Sequence, residues 1–500
     1  MRDYRWVRWG VAAALIGAVA RAQPAAESPK PDVPAAPSAT ASPVPGPGDS
    51  TAAPGTGPAP GEAGFMTNLF GSSRPNLLGG LYGVRPFLAQ YGVSLGLQET
   101  SEVFGNVTGG IRRGAAYNGL TTMSLGVDTS KAFGWEGGIF NVSAFQIHGR
   151  FLATENLLTL QTPSGIEAQR STRLWEAWYQ QSFLGGKVDV KVGQQSLDQE
   201  FILSQGSGAF INAAAGWPVL PSVDLYAQGP AYPLASLGVR LRAQPMRDVT
   251  VLAGVFDDNP PGGPFFDDSA LRGASQSGTK FNTGTGALVI GEVQYALNAP
   301  PEGHATGPGL PGTYKLGFWY DTGKFFDQRF DTQANLLADP ASDGTRRTRR
   351  HNFSVYGVAD QVVWRPVQDG PQAVSVFARA MGGPGDRNVV NFALNAGVVL
   401  KAPLPGRDND TFGVEYGVAK VSPSSISFDR DYNRLVGPYP VRSSESFVEV
   451  TYQYQVAPWF SVQPDFQYVF MPGGGIVNPL RPGERVGNSA TFGLRTNIVF

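Results

Sequence analysis

The feature that most constrains this chain is an alternation of apolar and polar side chains that recurs from residue 93 onward. In the last ten residues, TFGLRTNIVF, one parity holds Phe492, Leu494, Thr496, Ile498 and Phe500, and the other parity is mostly polar. Because successive side chains of a β-strand point to opposite faces, this pattern predicts a strand with one apolar and one polar face.

The same alternation occurs in sixteen segments, with glycine, proline, asparagine and aspartate between them. Many of these segments approach the length of about nine to eleven residues that a tilted strand needs to cross a membrane. Helical periodicity is scarce, so the pattern predicts an all-β chain. The predicted strands are 93–102, 118–130, 138–149, 172–183, 187–195, 236–243, 249–256, 286–296, 313–321, 352–364, 373–380, 389–400, 411–421, 446–456, 459–470 and 490–500.

The connections between these segments are generally long after odd-numbered strands and short after even-numbered ones. Residues 196–235 follow the fifth strand and 322–351 the ninth, whereas only 184–186 follow the fourth; 297–312 is a long exception. Long loops on one side and short turns on the other are typical of bacterial outer-membrane barrels. We therefore predict that residues 93–500 form a sixteen-stranded antiparallel outer-membrane β-barrel, with long external loops, short periplasmic turns and an aqueous channel.

The residues before the barrel are of a different kind. Basic residues precede the short apolar run VAAALIGAVA and an A-x-A pattern, which predicts a secretory signal peptide at 1–22. Residues 23–63 are rich in proline and alanine and poor in large apolar residues, which predicts a disordered linker. Residues 64–92 are predicted to be a periplasmic segment that leads into the first strand.

Composition excludes several classes of function. The 39 Lys and Arg residues balance the 40 Asp and Glu residues, so nothing indicates a nucleic-acid partner. The chain has no cysteine, which excludes disulfide frameworks and thiolate metal sites.

Strand parity also predicts the wall of the channel. Both signs of charge are present in this wall, together with amides and aromatic rings, whereas an anion channel would need a mostly basic wall. A mixed wall offers hydrogen-bond donors and acceptors to a small neutral, hydroxyl-rich solute. For any one of these residues, a simply hydrated lumen position is the plainer interpretation. The predicted inward residues are Gln98, Asp128, Gln146, His148, Arg150, Glu176, Trp178, Lys191, Arg240, Arg242, Glu292, Trp319, Arg379, Glu415, Glu449, Asp465 and Arg495.

The connection 196–235 is the predicted constriction. In outer-membrane channels of this strand number, the loop at this position folds inward and narrows the pore, and an ordinary surface loop is the alternative. Within it, Asp198, Glu200, Asn212 and Trp217 are the candidate constriction residues.

Several long segments, in fixed order along the chain, carry a resemblance to a known family. They are SEVFGNVTGGIRRGAAYNG (101–119), FNVSAFQIHGR (140–150), TRLWEAWYQQSF (172–183), VGQQSLDQEF (192–201), GPAYPLASLGVRLR (229–242) and APWFSVQPDFQYVFMPGGG (457–475). Together they resemble the carbohydrate-selective porins of the OprB type, and the similarity covers about residues 65–500.

The resemblance implies a sixteen-stranded barrel that admits glucose and related sugars through a constriction lined by arginine and acidic residues. It adds Arg112 and Arg113, in the first external loop, to the candidate pore residues. It also implies a monomer, although porins of this strand number are often trimers. Two features depart from the family pattern: LLGGLYGVRPFLAQYGV lacks a tryptophan before its paired glycines, and the linker is additional.

Two further features of the sequence, its last residue and a basic run, predict other partners. Phe500 resembles the terminal aromatic signature by which outer-membrane proteins are recognised for insertion, which predicts contact with the barrel-assembly machinery. The run TRRTRRH (345–351) suggests contact with lipopolysaccharide phosphates, and a solvated loop face is the plainer alternative.

An enzyme is the other class considered. An outer-membrane hydrolase using His148 is one alternative, but no G-x-S-x-G motif accompanies this histidine. No H-E-x-x-H spacing is present, and the pairs Asp257/Asp258 and Asp267/Asp268 lack a full calcium pattern. We predict a channel without catalytic residues, cofactor or metal, with a general, non-selective porin as the alternative within the same class.

Overall fold

The computed structural model describes residues 74–260, 277–281, 283–299, 309–367 and 370–500. No helix in these ranges is long and apolar enough to cross a membrane. The predicted signal peptide, the linker and the pair Asp267/Asp268 lie outside the described residues, so those assignments stay predictions.

All sixteen predicted strands are present, and each pairs antiparallel with its neighbours in chain order. Because β1 also pairs with β16, the sheet closes into a barrel and the predicted fold is confirmed. The strands are β1 (Val93–Gly110), β2 (Gly114–Asp128), β3 (Gly138–Gly149), β4 (Ser171–Phe183), β5 (Val188–Gln195), β6 (Ser236–Met246), β7 (Val249–Asp257), β8 (Ala287–Leu297), β9 (Gly312–Asp331), β10 (Arg346–Trp364), β11 (Ala373–Gly382), β12 (Val390–Lys401), β13 (Thr411–Val421), β14 (Ser444–Ala457), β15 (Phe460–Phe470) and β16 (Gly487–Val499).

Most outward side chains of the barrel are apolar, and many inward ones are polar. On β9, Leu316 is 72% exposed and Phe318 is 46% exposed, whereas Trp319 and Asp321 are buried inside the barrel. An apolar exterior suits lipid, and a closed sheet leaves no unpaired strand edge, which hydrocarbon requires.

The last strand closes the barrel as its alternation predicts. Phe492 and Leu494 lie exposed on the outer face, while Arg495 points inward and is buried. The Phe500 N–H donates to the Leu97 carbonyl of β1 at 2.9 Å. The apolar face of this terminal strand therefore faces lipid rather than a protein core.

The segment before β1 packs against the same end of the barrel. The Leu77 N–H donates to the Val499 carbonyl at 2.8 Å, and the Arg85 guanidinium donates to the Phe500 carbonyl. Helices among the described residues include α1 (Val84–Gln90), α2 (Thr129–Phe133), α3 (Ala213–Gly216), α4 (Val219–Asp224) and α5 (Pro423–Leu435).

Strands β9 and β10 extend well beyond their predicted ends. The basic run at 345–351 therefore lies almost entirely in β10, so its description as a loop is wrong. Arg347 and Arg349 each pair with Asp327 of β9, at 2.9 and 2.8 Å. These cross-strand ion pairs neutralise part of the basic run within the hairpin itself.

Among the described residues, the connections 150–170, between β3 and β4, and 196–235, between β5 and β6, fold into the barrel. The inward fold was predicted for 196–235 alone. In the largest apolar cluster, Trp217 and Leu220 of that loop pack with the inward wall residue Trp319. The hydrophobic core thus lies inside the barrel, between the loop and the wall.

Candidate constriction site

Inward carboxylates of the wall hold the constriction loop (196–235) by its main chain. The Ile202 N–H donates to Glu292 Oε2 of β8 at 2.8 Å, and the Gly206 N–H donates to Asp360 Oδ1 of β10 at 2.8 Å. A buried backbone N–H needs an acceptor, and the loop has no ladder partner to supply one. These acidic residues therefore position the loop.

Asn212, a predicted constriction residue, anchors the middle of the loop. Glu449 of β14 accepts from the N–H groups of Ile211 and Asn212, at 2.6 and 3.0 Å. The Asn212 side chain accepts from the Ala214 N–H at 2.9 Å, which caps α3, and donates to Gln467 of β15 at 2.9 Å. Asn212 is fully buried, so it fixes the loop rather than facing open lumen.

Arg379 of β11 binds the carbonyl groups of the loop, whereas the carboxylates bind its N–H groups. Its guanidinium donates to the carbonyls of Ile202 (3.0 Å), Gly216 (2.9 Å) and Ala215 (3.0 Å). Arg379 and Trp217 are each 1% exposed, and both lie within the packed loop–wall interface. These two predicted pore residues are placed as supports of the constriction.

Glu176 and Asp198 hold the two ends of the loop together. The Ser196 N–H donates to Glu176 Oε1 of β4 at 2.9 Å, and the Ser196 hydroxyl donates to Asp198 Oδ1 at 2.6 Å. Asp198 also accepts from the Tyr232 N–H at 3.0 Å, near the end of the loop. Both carboxylates are buried, so they define where the loop leaves and rejoins the wall.

Glu200 is the constriction-loop residue that the structure joins to basic residues of the predicted mixed wall. Arg240 Nε lies 2.6 Å from Glu200 Oε2, and Lys191 also pairs with Glu200. On the far side of Arg240, Asp189 pairs with both Arg240 and Arg242, the latter at 3.3 Å. We call these five residues the charged cluster.

The charge on Glu200 is set by its partners. Burial alone would raise the pKa of Glu200, but the Lys191 ammonium and the Arg240 guanidinium outweigh it and lower that pKa. The carboxylate is therefore ionised at neutral pH, and it presents fixed acceptors beside fixed donors.

A cavity of about 360 Å³ lies against the charged cluster, within the usual size range of small-molecule sites. Its wall combines guanidinium and ammonium donors, carboxylate acceptors and amides that serve as both, together with two leucines. The lining residues are Gln180, Asp189, Gln199, Glu200, Leu203, Arg240, Arg242, Thr250, Leu252, Gln294 and Lys315. Such a set can exchange hydrogen bonds with several hydroxyl groups at once.

Trp178, on the predicted inward face of β4, contacts the cluster through Lys191. The Lys191 ammonium lies 4.4 Å from the centre of the Trp178 ring, in cation–π geometry. This contact orients the lysine that pairs with Glu200. A solute that stacks on Trp178 has to compete with Lys191 for the ring.

Three predicted arginines lie away from this cavity, at the external end of the barrel. Arg112 Nε donates to the Glu155 carbonyl at 2.8 Å, and its guanidinium lies 3.4 Å from the Glu155 carboxylate. Arg112, Arg113 and Arg150 are all exposed, and none of them lines the cavity. Their part in solute passage stays a prediction.

The structure corrects the orientation of His148. Phe145 and Ile147 point into the barrel and are buried, so His148 and Gln146, which have the other parity on β3, lie on the outer face. His148 Nε2 is 3.2 Å from the hydroxyl of Tyr117, which is 43% exposed on the same face. The parity prediction failed because two apolar residues of β3 face a packed loop and not lipid.

The inward loop 150–170 was missed by the sequence analysis. The N–H groups of Leu160 and Gln161 donate to Glu445 of β14 at 2.8 and 2.7 Å. The Ala213 N–H of the constriction loop donates to the Thr162 carbonyl at 2.8 Å, so the two loops support each other. The signal for this placement was its content of large apolar residues, among them Leu152, Leu157 and Ile166, which are buried inside the barrel.

Glu167 closes the loop 150–170 on itself. Its carboxylate accepts from the N–H groups of Leu152 (2.9 Å) and Ala153 (3.1 Å). Burial, together with the nearby charges of Glu102 and Glu155, raises the pKa of Glu167 to about 8 despite these two hydrogen bonds. The protonation state of this loop therefore changes near neutral pH.

Several cavity residues were absent from the predicted site, and Asp189 is the main one. It shares the inward face of β5 with Lys191, so strand parity alone could have included it. Lys315 likewise shares the inward face of β9 with Trp319. Gln199, Thr250 and Gln294 are harder to predict, because uncharged residues on polar faces do not stand out.

The described residues hold no group of three or more histidine, aspartate or glutamate side chains that could bind a metal ion. Asp257 and Asp258 are buried at the end of β7. The Thr285 hydroxyl donates to Asp258, and the Asn259 N–H donates to Asp257 at 3.2 Å. These carboxylates therefore act in local hydrogen bonds.

A closed sixteen-stranded barrel with a lipid-compatible exterior, a polar interior and a loop folded into the lumen defines an outer-membrane porin. The model of the family described as "Carbohydrate-selective porin, OprB family" matches residues 112–500. The chain therefore belongs to the carbohydrate-selective porin family of the OprB type. It is a sugar-selective porin of the outer membrane, and both fold and family indicate a channel.

Relatives of this chain span nearly the whole barrel. Porin B of Pseudomonas aeruginosa is 24% identical over 460 residues, covering 88% of this chain and 94% of its own. The putative porin QuiX of Acinetobacter baylyi is 22% identical over 429 residues, covering 81% and 91%. The high-pH structure of Pseudomonas putida OprB superposes with a TM-score of 0.74 at 23% identity, over 86% of this chain and all of that one.

Proposed function

We propose that this porin passes small neutral sugars such as glucose by passive diffusion, and that it selects them at the cavity beside the charged cluster. Hydrogen bonds to Glu200, Arg240 and Asp189 would replace water around the solute as it passes. Binding has to stay weak, because a tightly held solute would block its own path.

The observation that carries this proposal is the near balance of charge at the cavity. Asp189 and Glu200 face Arg240 and Arg242 across hydrogen-bonding distance, so each charge has a counter-charge in place. A site of this kind holds no large single-sign field for an ion, but it offers donors and acceptors at fixed spacing to hydroxyl groups.

The test is single-channel conductance of the refolded protein in a planar lipid bilayer, titrated first with glucose and then with a trisaccharide. We expect glucose to reduce the current in a saturable manner. The substitution Glu200→Gln removes the negative charge of this side chain but keeps its shape. Because a hydrogen bond to a charged group contributes about 1.5–3 kcal/mol, the variant should weaken glucose blockade by roughly tenfold or more.

The matched control is Glu155→Gln, which makes the same chemical change at the exposed rim, where Glu155 pairs with Arg112. This variant should leave glucose blockade unchanged. A current that no sugar reduces, in a protein that still conducts, would favour the general, non-selective porin. Equal effects of both variants would contradict selection at the cavity.

A hydrolase using His148 is the less favoured function. His148 lies on the outer face, where its Nδ1 is 2.7 Å from the Gln146 amide oxygen and its Nε2 lies near Tyr117. This placement supports a channel, because a water-soluble substrate in the lumen cannot reach the ring. His148→Ala should leave glucose flux unchanged, and ester hydrolysis by the wild type that this variant lacks would reverse the assignment.

We also propose the remaining predicted partners. Phe500, hydrogen-bonded to β1 in the finished barrel, is a recognition signal for the barrel-assembly machinery. The exposed Arg350 at the outer part of β10 meets lipopolysaccharide phosphates. Residues 1–22 direct export and 23–63 form the linker ahead of the barrel.

Deleting Phe500 should lower the yield of heat-modifiable barrel in the outer membrane, which immunoblotting measures.

A further inference from the structure

A second cavity, of about 180 Å³, lies at the periplasmic end of the lumen. It is enclosed by the periplasmic ends of β9–β12 and by Gln205 and Gly206 of the constriction loop. Among its lining residues, Thr313 and Ala373 lie at the starts of β9 and β11, and Lys401 ends β12. We call it the exit cavity, because an imported solute leaves the barrel at this end.

The exit cavity continues the path of the cavity beside the charged cluster. On the inward face of β9, Lys315 lines the first cavity and Thr313 lines the exit cavity. On the constriction loop, Leu203 lines the first cavity and Gln205 lines the second. Two residues of a strand rise by about 7 Å, so the two cavities are neighbours along the same walls.

A buried carboxylate lines the exit cavity with one of its oxygens unused by the protein. Asp360 of β10 is 7% exposed, and its Oδ1 accepts from the Ser204 hydroxyl at 2.7 Å and from the Gly206 N–H at 2.8 Å. Its Oδ2 has no hydrogen-bond partner among the described residues. A buried acceptor without a donor is costly. The constriction loop therefore uses one oxygen of Asp360, and the other is available to a donor in the cavity.

The other polar groups of the exit cavity suit a hydroxyl-rich molecule. Ser375 and Thr313 present hydroxyl groups, which both donate and accept, and Lys401 presents an exposed ammonium donor. Ser375 of β11 pairs with Val362, two residues from Asp360, so its hydroxyl and the carboxylate lie on neighbouring strands. A sugar ring has hydroxyl groups on several sides, so it can donate to the carboxylate and accept from the other groups.

The charges at the exit cavity favour a neutral solute over an ion. Arg365 and Lys401 bring positive charge to the lining, and Asp360 brings negative charge. A cation meets the two basic side chains, and an anion meets the carboxylate, so neither sign has a wall of opposite charge to itself. A neutral polyhydroxy compound can use both kinds of group as hydrogen-bond partners.

We propose that the exit cavity is a second sugar subsite, which takes a monosaccharide from the cavity beside the charged cluster and releases it to the periplasm. This inference rests on the proposed function, because only a channel that admits sugar has a solute to pass on. Two weak subsites in series divide the loss of hydration into two steps, so neither has to hold the solute tightly.

The absence of cysteine from the chain allows a single introduced thiol to report on the exit cavity. Ser375→Cys places this thiol in the lining of the cavity. Ser94→Cys is the matched control, because Ser94 is an exposed inward residue near the periplasmic end of β1 and lines neither cavity. Each purified variant is treated in detergent with a small methanethiosulfonate reagent, with and without glucose. Both mouths of the barrel are open in detergent, so sugar in the first cavity does not bar the reagent.

We expect glucose to slow the modification of Ser375→Cys several-fold in a saturable manner, and to leave the rate for Ser94→Cys unchanged. If glucose blocks the current but does not protect Ser375→Cys, the exit subsite is overturned and the proposed function stands. If glucose neither blocks nor protects, both fail. Equal slowing at both thiols would overturn the subsite in favour of a general effect of glucose on the reaction.

Two substitutions in the Ser375→Cys background test the chemistry of the subsite. Asp360→Asn keeps an oxygen for Ser204 and Gly206 but replaces the unused acceptor by an N–H donor. The constriction loop should stay protease-resistant, while protection by glucose should weaken roughly tenfold through the loss of a hydrogen bond to a charged group. Lys401→Met removes the ammonium at the end of its strand and should weaken protection by a smaller factor. Unchanged protection in both variants would overturn the proposal.

Discussion

Two arginines of the lumen wall, Arg240 of β6 and Arg379 of β11, show that the same residue type has different tasks on the two sides of this barrel. Arg240 pairs with the carboxylates of Glu200 and Asp189 and lines a cavity. Arg379 is enclosed by main-chain carbonyls of the constriction loop. An inward charge therefore contacts solute only where no loop covers it.

The difference between the two sites comes from backbone chemistry. A loop that enters a barrel brings N–H and C=O groups with no ladder partner, and each one left unpaired costs about 1–3 kcal/mol. Wall residues such as Glu292, Glu449 and Arg379 meet this need. The charged groups around Arg240 pair with other side chains instead, so part of their hydrogen-bonding surface stays open to a passing solute.

The largest effect is expected from Arg379→Met. The variant leaves the carbonyls of Ile202, Ala215 and Gly216 without their donor, so the constriction loop should detach in part. We expect a several-fold increase in protease cleavage within 196–235 and a noisier, larger single-channel current. Arg242→Met, which removes a half-exposed guanidinium, is the control and should stay protease-resistant. Equal resistance of both variants would contradict a supporting role for Arg379.

Arg240→Met should give the opposite pattern. Removing this guanidinium takes one positive charge from the cavity and leaves Glu200 with Lys191, and Asp189 with Arg242, as its remaining cationic partner. We expect roughly tenfold weaker glucose blockade, from the loss of charged hydrogen bonds, and a shift of reversal potential toward cation selectivity. The loop should remain protease-resistant. Cleavage as rapid as in the Arg379 variant would remove the distinction between the two sides.

A smaller effect is expected from pH, through Glu167 of the loop 150–170. Burial raises the pKa of Glu167 from 4.5 to about 8, so between these values the folded state holds more protons than the unfolded state. The free energy of unfolding should therefore fall as pH rises through this window and level off above it. Thermal unfolding in detergent at several pH values measures this effect.

Glu167→Gln keeps the hydrogen-bonding shape of the side chain without its titration. The variant should lose the part of the pH dependence that lies between 4.5 and 8 and match the stability of the protonated wild type. A pH profile identical to that of the wild type would show that another group is responsible.

The smallest effect is expected from Arg112→Met at the external rim. Its ion pair with Glu155 is exposed on both sides, with a separation of 3.4 Å, and such pairs contribute about 0–1 kcal/mol. Stability should change little, and glucose blockade should stay within about twofold of the wild type. A large loss of blockade in the conductance assay would move part of the selection from the cavity to the rim.

Much of this fold could be predicted because lipid imposes a simple rule on each strand. The alternation in β16 gave the orientation of Phe492, Leu494 and Arg495 correctly, since one face meets lipid and the other meets the lumen. The rule failed on β3, where Phe145 and Ile147 are apolar on the inward side. There the inner face of the strand packs against a protein loop instead of facing water, and the parity of the strand cannot show this.

The site was less predictable than the fold because its assembly depends on contacts distant in sequence. Glu200 and Arg240 were both candidates, and the structure brings them together. Arg379 was a candidate of equal standing, but the loop path that encloses it is not visible in the sequence around β11. The ends of β9 and β10 were also misjudged, since their outer hairpin continues in water, where no hydrophobic pattern marks it.

The anchoring of the constriction loop has a consequence for the order of biogenesis. The loop follows β5, but its acceptors Glu292, Asp360 and Glu449 belong to β8, β10 and β14, which are made later. Contacts so distant in sequence form late, because their closure entropy is met only when the intervening chain is in place. We therefore expect the nascent barrel to pass through a wide-bored stage and to acquire its selectivity in the final steps of maturation.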